Sequence, residues 1–247
     1  MSIGGARFRA DGRTPGQMRP VSIEMNVQKW AAASLIYKQG DTHVICSATV
    51  EDRVPPHLRG KGTGWVTAEY AMLPAATSER MQRESVRGRL GGRTYEIQRL
   101  VGRSLRGVVD TSAMGEKTVV VDCDVLQADG GTRCASITGG YIALVLALRK
   151  VNLQRAVAGK IAAISVGIVD GSPLLDLEYR EDSGAEVDFN VIGTDAGTYV
   201  EVQGTAEGKP FDRTQMTALL DLADGGLKRL FDIQEAVLKG EADKSSA

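Results

Sequence analysis

The stretch from Asp122 to Lys150, DCDVLQADGGTRCASITGGYIALVLALRK, begins as a buried strand and ends as a buried helix. The overlapping segment KTVVVDCDVL is β-branched and apolar, as expected for a strand inside a sheet. After Arg133, small and apolar residues continue to Leu148, and two basic residues then suit a helix C-terminus. The order of strand, tight turn and helix is therefore the element from which the fold can be built outward.

The turn between this strand and helix consists of Asp129, Gly130, Gly131, Thr132 and Arg133. Glycines let backbone amides approach a ligand, and a helix N-terminus adds unpaired donors with partial positive charge. A hydroxyl and a guanidinium complete a set that suits a single phosphate or sulfate. The stretch is neither a GxxxxGK[ST] loop nor a GxGxxG loop. A simple turn with a Thr N-cap is an equally good interpretation of these residues.

The rest of the chain predicts short strands joined by tight turns. SLIYKQGDTHVICSATVED predicts a hairpin turning at residues 39–42, and Asp170-Gly171 predicts a second hairpin. EVDFNVIG and GTYVEVQG predict two more strands, and a long helix is expected from Asp212 to about Lys239. Because few strands are joined by crossover helices, the pattern favours an α+β fold over a doubly wound α/β sheet.

The predicted organisation is one domain over residues 1–240, with pseudo-repeated halves at about 10–150 and 160–240 and a flexible tail at 241–247. Each half reads as a hairpin, further strands and then a helix. The polar N-terminus predicts an extended arm, and a long polar stretch without periodicity runs from Pro55 to about Arg93. A helix follows this stretch, because apolar residues recur at helical spacing: Ile97, Leu100, Val101, Leu105 and Val108.

Composition excludes several classes of protein. The 247 residues are 43% hydrophobic and 25% charged, as in a soluble globular protein. Three cysteines without a CxxC pair argue against a disulfide framework or a zinc ribbon. Two histidines leave little material for a histidine metal site or a Ser-His-Asp triad. The N-terminus lacks a signal-peptide apolar region, and the longest apolar run is too short to span a bilayer, so a cytoplasmic protein is expected.

Positive charge is concentrated in one segment, from Arg80 to Arg106. Eight arginines face two glutamates there, a net +6, so the remainder of a chain with total charge −1 carries −7. Arginine without lysine suits a bidentate grip on phosphate oxygens, which favours a polyanion ligand. A solvated loop or a subunit interface remains an alternative.

An acidic run, DLEYREDSGAEVDFNV, contains the third feature of chemical interest. Asp182 and Asp188 flank the turn signal Ser183-Gly184, so both carboxylates could face one site. Such a pair suits Mg²⁺ or Mn²⁺, and one member could act as a general acid. A solvent-facing hairpin edge protected by charge is the alternative. Together, the three features predict phosphate chemistry on a polyanion.

Several strings resemble the ribonuclease PH family of phosphate-dependent 3′→5′ exoribonucleases, in particular its bacterial single-unit members. They occur in the family's order from about Arg9 to Phe211: RADGR, GGRTYEIQRLVGRSLR, DCDVLQADGGTRCASITGG, SVGIVDG, DLEYREDSGAEVDFNV and EVQGTAEGKPF. The resemblance implies the ribonuclease PH fold, which is related to ribosomal protein S5 domain 2. Mixed sheets packed with helices are therefore expected.

The resemblance also implies a role for particular residues. Phosphate binding is implied for Arg93, Gly131, Thr132 and Arg133, and catalysis for Arg93, Arg133, Asp182 and Asp188. The two aspartates are also the implied ligands of Mg²⁺ or Mn²⁺. RNA binding is implied for Arg80, Arg83 and Arg99. One departure is Ala75, where many relatives have an arginine after MLP.

The implied reaction is reversible phosphorolysis that trims the 3′ ends of tRNA precursors and releases nucleoside diphosphates. Inorganic phosphate is then a co-substrate, and the partners are RNA with 3′ tails and further copies of the chain in a hexameric trimer of dimers. No membrane partner is expected. Two rival functions are a non-catalytic RNA-binding ring subunit, like the inactive exosome components, and a metal-dependent hydrolase.

Overall fold

The computed structural model describes residues 9–245 of the chain, and its first half is built on a five-stranded sheet. The sheet order is β1-β2-β3-β5-β4, in which only β4 and β5 are parallel neighbours. The elements of this half are β1 (Val21–Met25), β2 (Ala33–Gln39), β3 (Thr42–Glu51), β4 (Trp65–Met72), α1 (Glu84–Arg87), α2 (Gly92–Arg106), β5 (Thr118–Gln127) and α3 (Thr132–Lys150).

The second half is built on a four-stranded antiparallel sheet in the order β7-β6-β8-β9. Its elements are β6 (Ile161–Val169), β7 (Ser172–Leu175), α4 (Tyr179–Ser183), β8 (Val187–Thr194), β9 (Tyr199–Ala206) and α5 (Arg213–Ser245). Helix α5 packs its apolar residues, among them Leu219, Leu227 and Leu230, against this sheet.

Helix α3 packs against both sheets and is buried along most of its length. It contacts β2, β3 and β5 of the first sheet and β6 of the second. Gly139 permits this close approach, because a Cβ there would lie 2.8 Å from Cβ of Tyr37 and 2.9 Å from Sγ of Cys46. The N-terminus of α3, which follows the glycine turn, is consequently held at the junction of the two halves.

The fold confirms the α+β prediction and both hairpins. Asp170 and Gly171 have φ angles of 48° and 70°, the left-handed values that a two-residue type I′ turn requires. The first sheet contains a parallel pair, β4 and β5, whereas the strands of the second sheet pair antiparallel, so the two sheets differ in topology. Among residues 9–245, no helix is long and apolar enough to cross a membrane.

Two predicted boundaries differ from the structure. Strand β4 lies inside the polar stretch that was expected to be irregular. Its side chains alternate in burial, but its two alanines fall on opposite faces, so hydropathy alone does not show the alternation. Helix α5 continues to Ser245 instead of ending near Lys239, so it includes most of the predicted tail. Residues 246–247 of that tail and residues 1–8 of the predicted arm lie outside the described residues.

Candidate active site

The glycine turn that follows β5 has a backbone that only glycine adopts readily. Gly130 and Gly131 have φ angles of 75° and 68°. A Cβ on Gly130 would lie 2.6 Å from the carbonyl oxygen of Leu177, so the turn lies directly against the chain that leads into α4. The hydroxyl of Thr42 donates to the Gly130 carbonyl at 2.7 Å and accepts from the Asp129 amide at 3.0 Å. The turn is therefore braced by the first sheet and in contact with the second half.

The N-terminus of α3 has no side-chain cap. The N-cap position is Gly131, in the left-handed conformation, and Thr132 is the first helical residue. The Thr132 hydroxyl instead pairs with that of Tyr70 at 2.9 Å. The interpretation of Thr132 as an N-cap is therefore wrong. The first amides of the helix have no side-chain acceptor at the cap, which suits an anion.

The two aspartates are supplied by α4 and β8. Helix α4 begins with a capping box, in which Glu178 accepts from the Arg180 amide at 2.9 Å and Glu181 accepts from the Glu178 amide at 3.0 Å. The box makes a five-residue helix at this point and places Asp182 in its last turn. Asp188 follows near the start of β8, where it pairs with Gly167 of β6.

Both carboxylates are partly withdrawn from water. Burial, followed by the neighbouring charge of Asp182, raises the pKa of Asp188 to about 6. Burial also raises the pKa of Asp182, and this shift is opposed by the positive charges of Arg93 and Arg133. These mutual effects place the two aspartates and the two arginines within electrostatic reach of one another.

The carboxylate pair could hold a divalent cation. Oδ1 of Asp188 is buried and has no hydrogen-bond partner among the described residues. A divalent cation would neutralise two adjacent carboxylates and satisfy that oxygen. Within residues 9–245 no group of three or more His, Cys, Asp or Glu side chains forms a metal site. Two carboxylates suit an ion such as Mg²⁺, whose remaining coordination positions are filled by waters and substrate phosphates.

A cavity of about 490 Å³ joins these features. Arg93, Gly131, Thr132 and Asp182 all line it. The same wall contains exposed apolar side chains: Met81 and Tyr179. The cavity thus offers an anion-binding end with a carboxylate, together with an apolar surface.

Arg133 is held by two residues for which the sequence predicted no role in the site. Its guanidinium donates to Gln203 of β9 and lies 3.5 Å from Glu96 of α2. Gln203 in turn donates to Glu96 at 3.2 Å. Gln203 is 70 positions from Arg133 in sequence, so no local pattern could have found the contact. For Glu96 the sequence predicted only a negative charge within the arginine-rich segment.

The predicted RNA-binding arginines fall in two places. Arg80 and Arg83 are exposed in the segment between β4 and α2, which also supplies Met81 to the cavity wall. Arg99 lies six residues after Arg93 on α2, about 120° around the helix. It lines a separate hollow of about 290 Å³. None of these three arginines lines the main cavity, although Arg80 and Arg83 flank Met81, which does.

Comparison with known proteins places both halves of the chain. Residues 17–150 match the 3′ exoribonuclease family, domain 1, and residues 159–226 match domain 2 of the same family.

Solved structures with the same fold include rice (Oryza sativa) Rrp46, with a TM-score of 0.76 and 20% identity over 93% of this chain and 100% of that one. The Archaeoglobus fulgidus exosome with RNA bound to the active site has a TM-score of 0.76 and 22% identity, over 91% of this chain and 92% of that one. An archaeal exosome core has a TM-score of 0.72 and 22% identity, over 92% and 91%. At these identities the structures establish the shared fold, and the family matches, which span most of the chain, show that it belongs to the ribonuclease PH family of 3′ exoribonucleases.

Proposed function

We propose that this chain is a phosphorolytic 3′→5′ exoribonuclease of the bacterial ribonuclease PH type, acting on the 3′ ends of tRNA precursors. The observation that carries the proposal is the cavity in which Arg93, the glycine turn and Asp182 meet, with Asp188 and Arg133 in electrostatic reach. A hydrolase that uses water would have no need of an anion site beside its carboxylates. Membership of a 3′ exoribonuclease family supports RNA as the substrate class.

The proposed reaction begins with phosphate held by Arg93, Arg133, the Thr132 hydroxyl and the amides at the start of α3. A phosphate oxygen attacks the phosphorus of the last phosphodiester, and the bond from phosphorus to the 3′-oxygen of the preceding nucleotide breaks. A nucleoside diphosphate leaves, and the shortened RNA takes up a proton on its new 3′-hydroxyl. The arginines reduce repulsion between the two anions and stabilise charge in the transition state. The reaction exchanges an ester linkage for an anhydride and is reversible, so the enzyme would also add nucleotides from nucleoside diphosphates.

Asp182 and Asp188 have two proposed roles. They would hold Mg²⁺ or Mn²⁺, which supplies charge neutralisation at phosphate oxygens when bound. The second role is an alternative to metal ligation: without a bound cation, the pKa of Asp188 is raised to about 6, so a fraction of the molecules keeps a proton near neutral pH that Asp188 would donate to the leaving 3′-oxygen.

Several finer features belong to the same proposal. Exposed Arg80 and Arg83 would guide an RNA 3′ tail to the cavity, and Arg99 would contact RNA or another subunit farther away. The assembly would be a homohexamer built as a trimer of dimers, and the location cytoplasmic. The A. fulgidus exosome, one of the solved relatives, has RNA bound to its active site, which supports an RNA partner.

A non-catalytic subunit of an exosome-like ring is the second candidate. It is favoured by the fold of the solved relatives, which are exosome components. Catalysis is supported by the residues present: Arg93, Thr132 and Asp182 line one cavity, and the charges of Arg133 and Asp188 interact with that of Asp182.

The deciding experiment incubates purified protein with a 3′-extended tRNA precursor and Mg²⁺, with and without inorganic phosphate. Phosphorolysis predicts nucleoside diphosphates only when phosphate is present. Nucleoside monophosphates without phosphate would identify a hydrolase, and RNA binding without products would identify a non-catalytic subunit. Asp182→Asn should abolish product, whereas Asp232→Asn, an exposed change on α5, should leave the rate unchanged.

A further inference from the structure

The N-terminal arm, residues 9–20, contains three arginines that are almost completely buried. Arg9, Arg13 and Arg19 are 8%, 6% and 6% exposed. Burying a guanidinium is unfavourable unless it is paired and hydrogen-bonded. The hydrogen-bond partners of these arginines therefore show which segments the arm contacts. Arg13 pairs with Asp11 inside the arm, and Arg9 and Arg19 contact the two segments that form the candidate active site.

Arg19 joins the glycine turn to the segment before α4. Its Nε and Nη2 donate to the carboxylate of Asp176 at 3.1 and 2.7 Å, and its backbone amide donates to the same carboxylate at 2.7 Å. Its Nη1 donates to the backbone carbonyl of Asp129. Asp129 is the first residue of the turn that leads to Thr132, and Asp176 lies six residues before Asp182. One guanidinium therefore contacts both halves of the site.

Arg9 holds the helix that carries Asp182. Its Nε donates to the Glu181 carboxylate at 2.6 Å, and its Nη1 and Nη2 donate to the backbone carbonyls of Leu175 and Asp176 at 2.6 and 2.9 Å. Glu181 precedes Asp182 directly and also closes the capping box of α4. The guanidinium thus fixes both the start of the segment and the helix at its end.

The two halves also touch directly beneath these arginines. The Tyr179 amide donates to the Asp129 carboxylate at 3.3 Å, and Gly130 lies against the Leu177 carbonyl. The turn and the segment that leads into α4 are thus in direct contact at the place where Arg19 also joins them.

We propose that Arg9 and Arg19 are positioning residues that set the distance between the phosphate-binding turn and the Asp182 carboxylate. The inference rests on the proposed function for its catalytic consequence. The structural part of the proposal is that one arm orders both segments together. It can be tested by a measurement that does not depend on enzyme activity.

The test uses the double variant Arg19→Met/Asp176→Asn. Removing both charges keeps the buried cluster balanced, because Arg13, which also pairs with Asp176, still pairs with Asp11 and Glu181. Asparagine tolerates the left-handed backbone of residue 176, whose φ is 57°. Hydrogen exchange should accelerate at residues 129–135 and 177–184 together, while residues 219–230 of α5 keep the wild-type rate. In phosphorolysis the KM for phosphate should rise by about 10- to 100-fold, the range seen when partners that orient site ligands are removed.

Arg149→Met is the matched control. Arg149 donates to the Leu238 carbonyl at 2.7 Å and joins α3 to α5 far from the glycine turn along α3. This variant should accelerate exchange near residue 238 and leave the KM for phosphate unchanged. If the double variant does not fold, Arg19→Lys replaces it, because lysine keeps the buried charge but cannot hold both Asp176 and Asp129.

Two outcomes of the exchange experiment would overturn the proposal: unchanged exchange in either site segment, or acceleration that extends equally through α5. A normal KM for phosphate in a folded variant would also overturn it. Failure of the proposed function is distinguishable, because the wild-type protein would then release no nucleoside diphosphate, while the exchange experiment would still report whether the arm orders both segments.

Discussion

Replacing Asp188 with asparagine should stabilise the protein while removing its activity. The folded protein raises the pKa of Asp188 to about 6, against about 3.9 in an unfolded chain. Between those values the folded state keeps a proton that the unfolded state has lost. The ionised carboxylate therefore disfavours folding above pH 6, and the penalty disappears below about pH 4. Asparagine has nearly the same shape and carries no charge, so it avoids the penalty.

The size of the effect follows from the shift in pKa. A difference of about two units corresponds to about 3 kcal/mol at pH 8 and about half of that at pH 5. Asp188 retains some exposure, and water screens part of this energy, so we expect a gain of about 1 to 3 kcal/mol at pH 8. Under the proposed mechanism phosphorolysis should fall by about 100-fold or more, because a general acid contributes at least that much.

The assay is urea denaturation of wild type and Asp188→Asn at pH 8 and pH 5, in EDTA, with Asp232→Asn as the control. The free energy of unfolding of the variant should exceed that of the wild type by more at pH 8 than at pH 5. Adding Mg²⁺ should stabilise the wild type and reduce the difference. A variant that is no more stable at pH 8, or that gains equally at both pH values, would refute the assignment of a strained buried carboxylate.

Two further substitutions test the anion site. Gly130→Ala should lower the free energy of unfolding by about 1 to 3 kcal/mol and weaken phosphate binding, because the added Cβ meets the Leu177 carbonyl. Gly197→Ala is the control: its φ is 73° and the space around it is open, so it should destabilise the protein less and leave phosphate binding intact. Arg93→Lys should raise the KM for phosphate about tenfold, since lysine loses the bidentate grip, whereas Arg53→Lys, at an exposed pair with Glu51, should not. Equal effects within either pair of variants would contradict the assigned site.

Much of the fold follows from local sequence. Asp170-Gly171 encodes a hairpin because its left-handed backbone is strongly preferred there, and α3 is encoded by an unbroken apolar and small-residue run. The glycine turn is predictable for the same reason: Gly130 and Gly131 have positive φ angles, which residue types other than glycine rarely adopt. Motifs and the resemblance to the ribonuclease PH family likewise predict the residues of the candidate site, among them Arg93, Thr132 and Asp182.

Tertiary structure alone decided the contacts between distant segments. Strand β4 pairs in parallel with β5, a contact that its own residues do not predict, because its alanines occur on both the buried and the exposed face. Arg133 is held by Gln203 across 70 positions, and Arg19 pairs with Asp176 across 157. Local propensity reports backbone preference over a few residues, whereas a buried ion pair depends on where the whole chain brings two side chains. The sequence thus determined the turn and the helix at which phosphate is proposed to bind, and only the folded chain decided which arginines hold them in place.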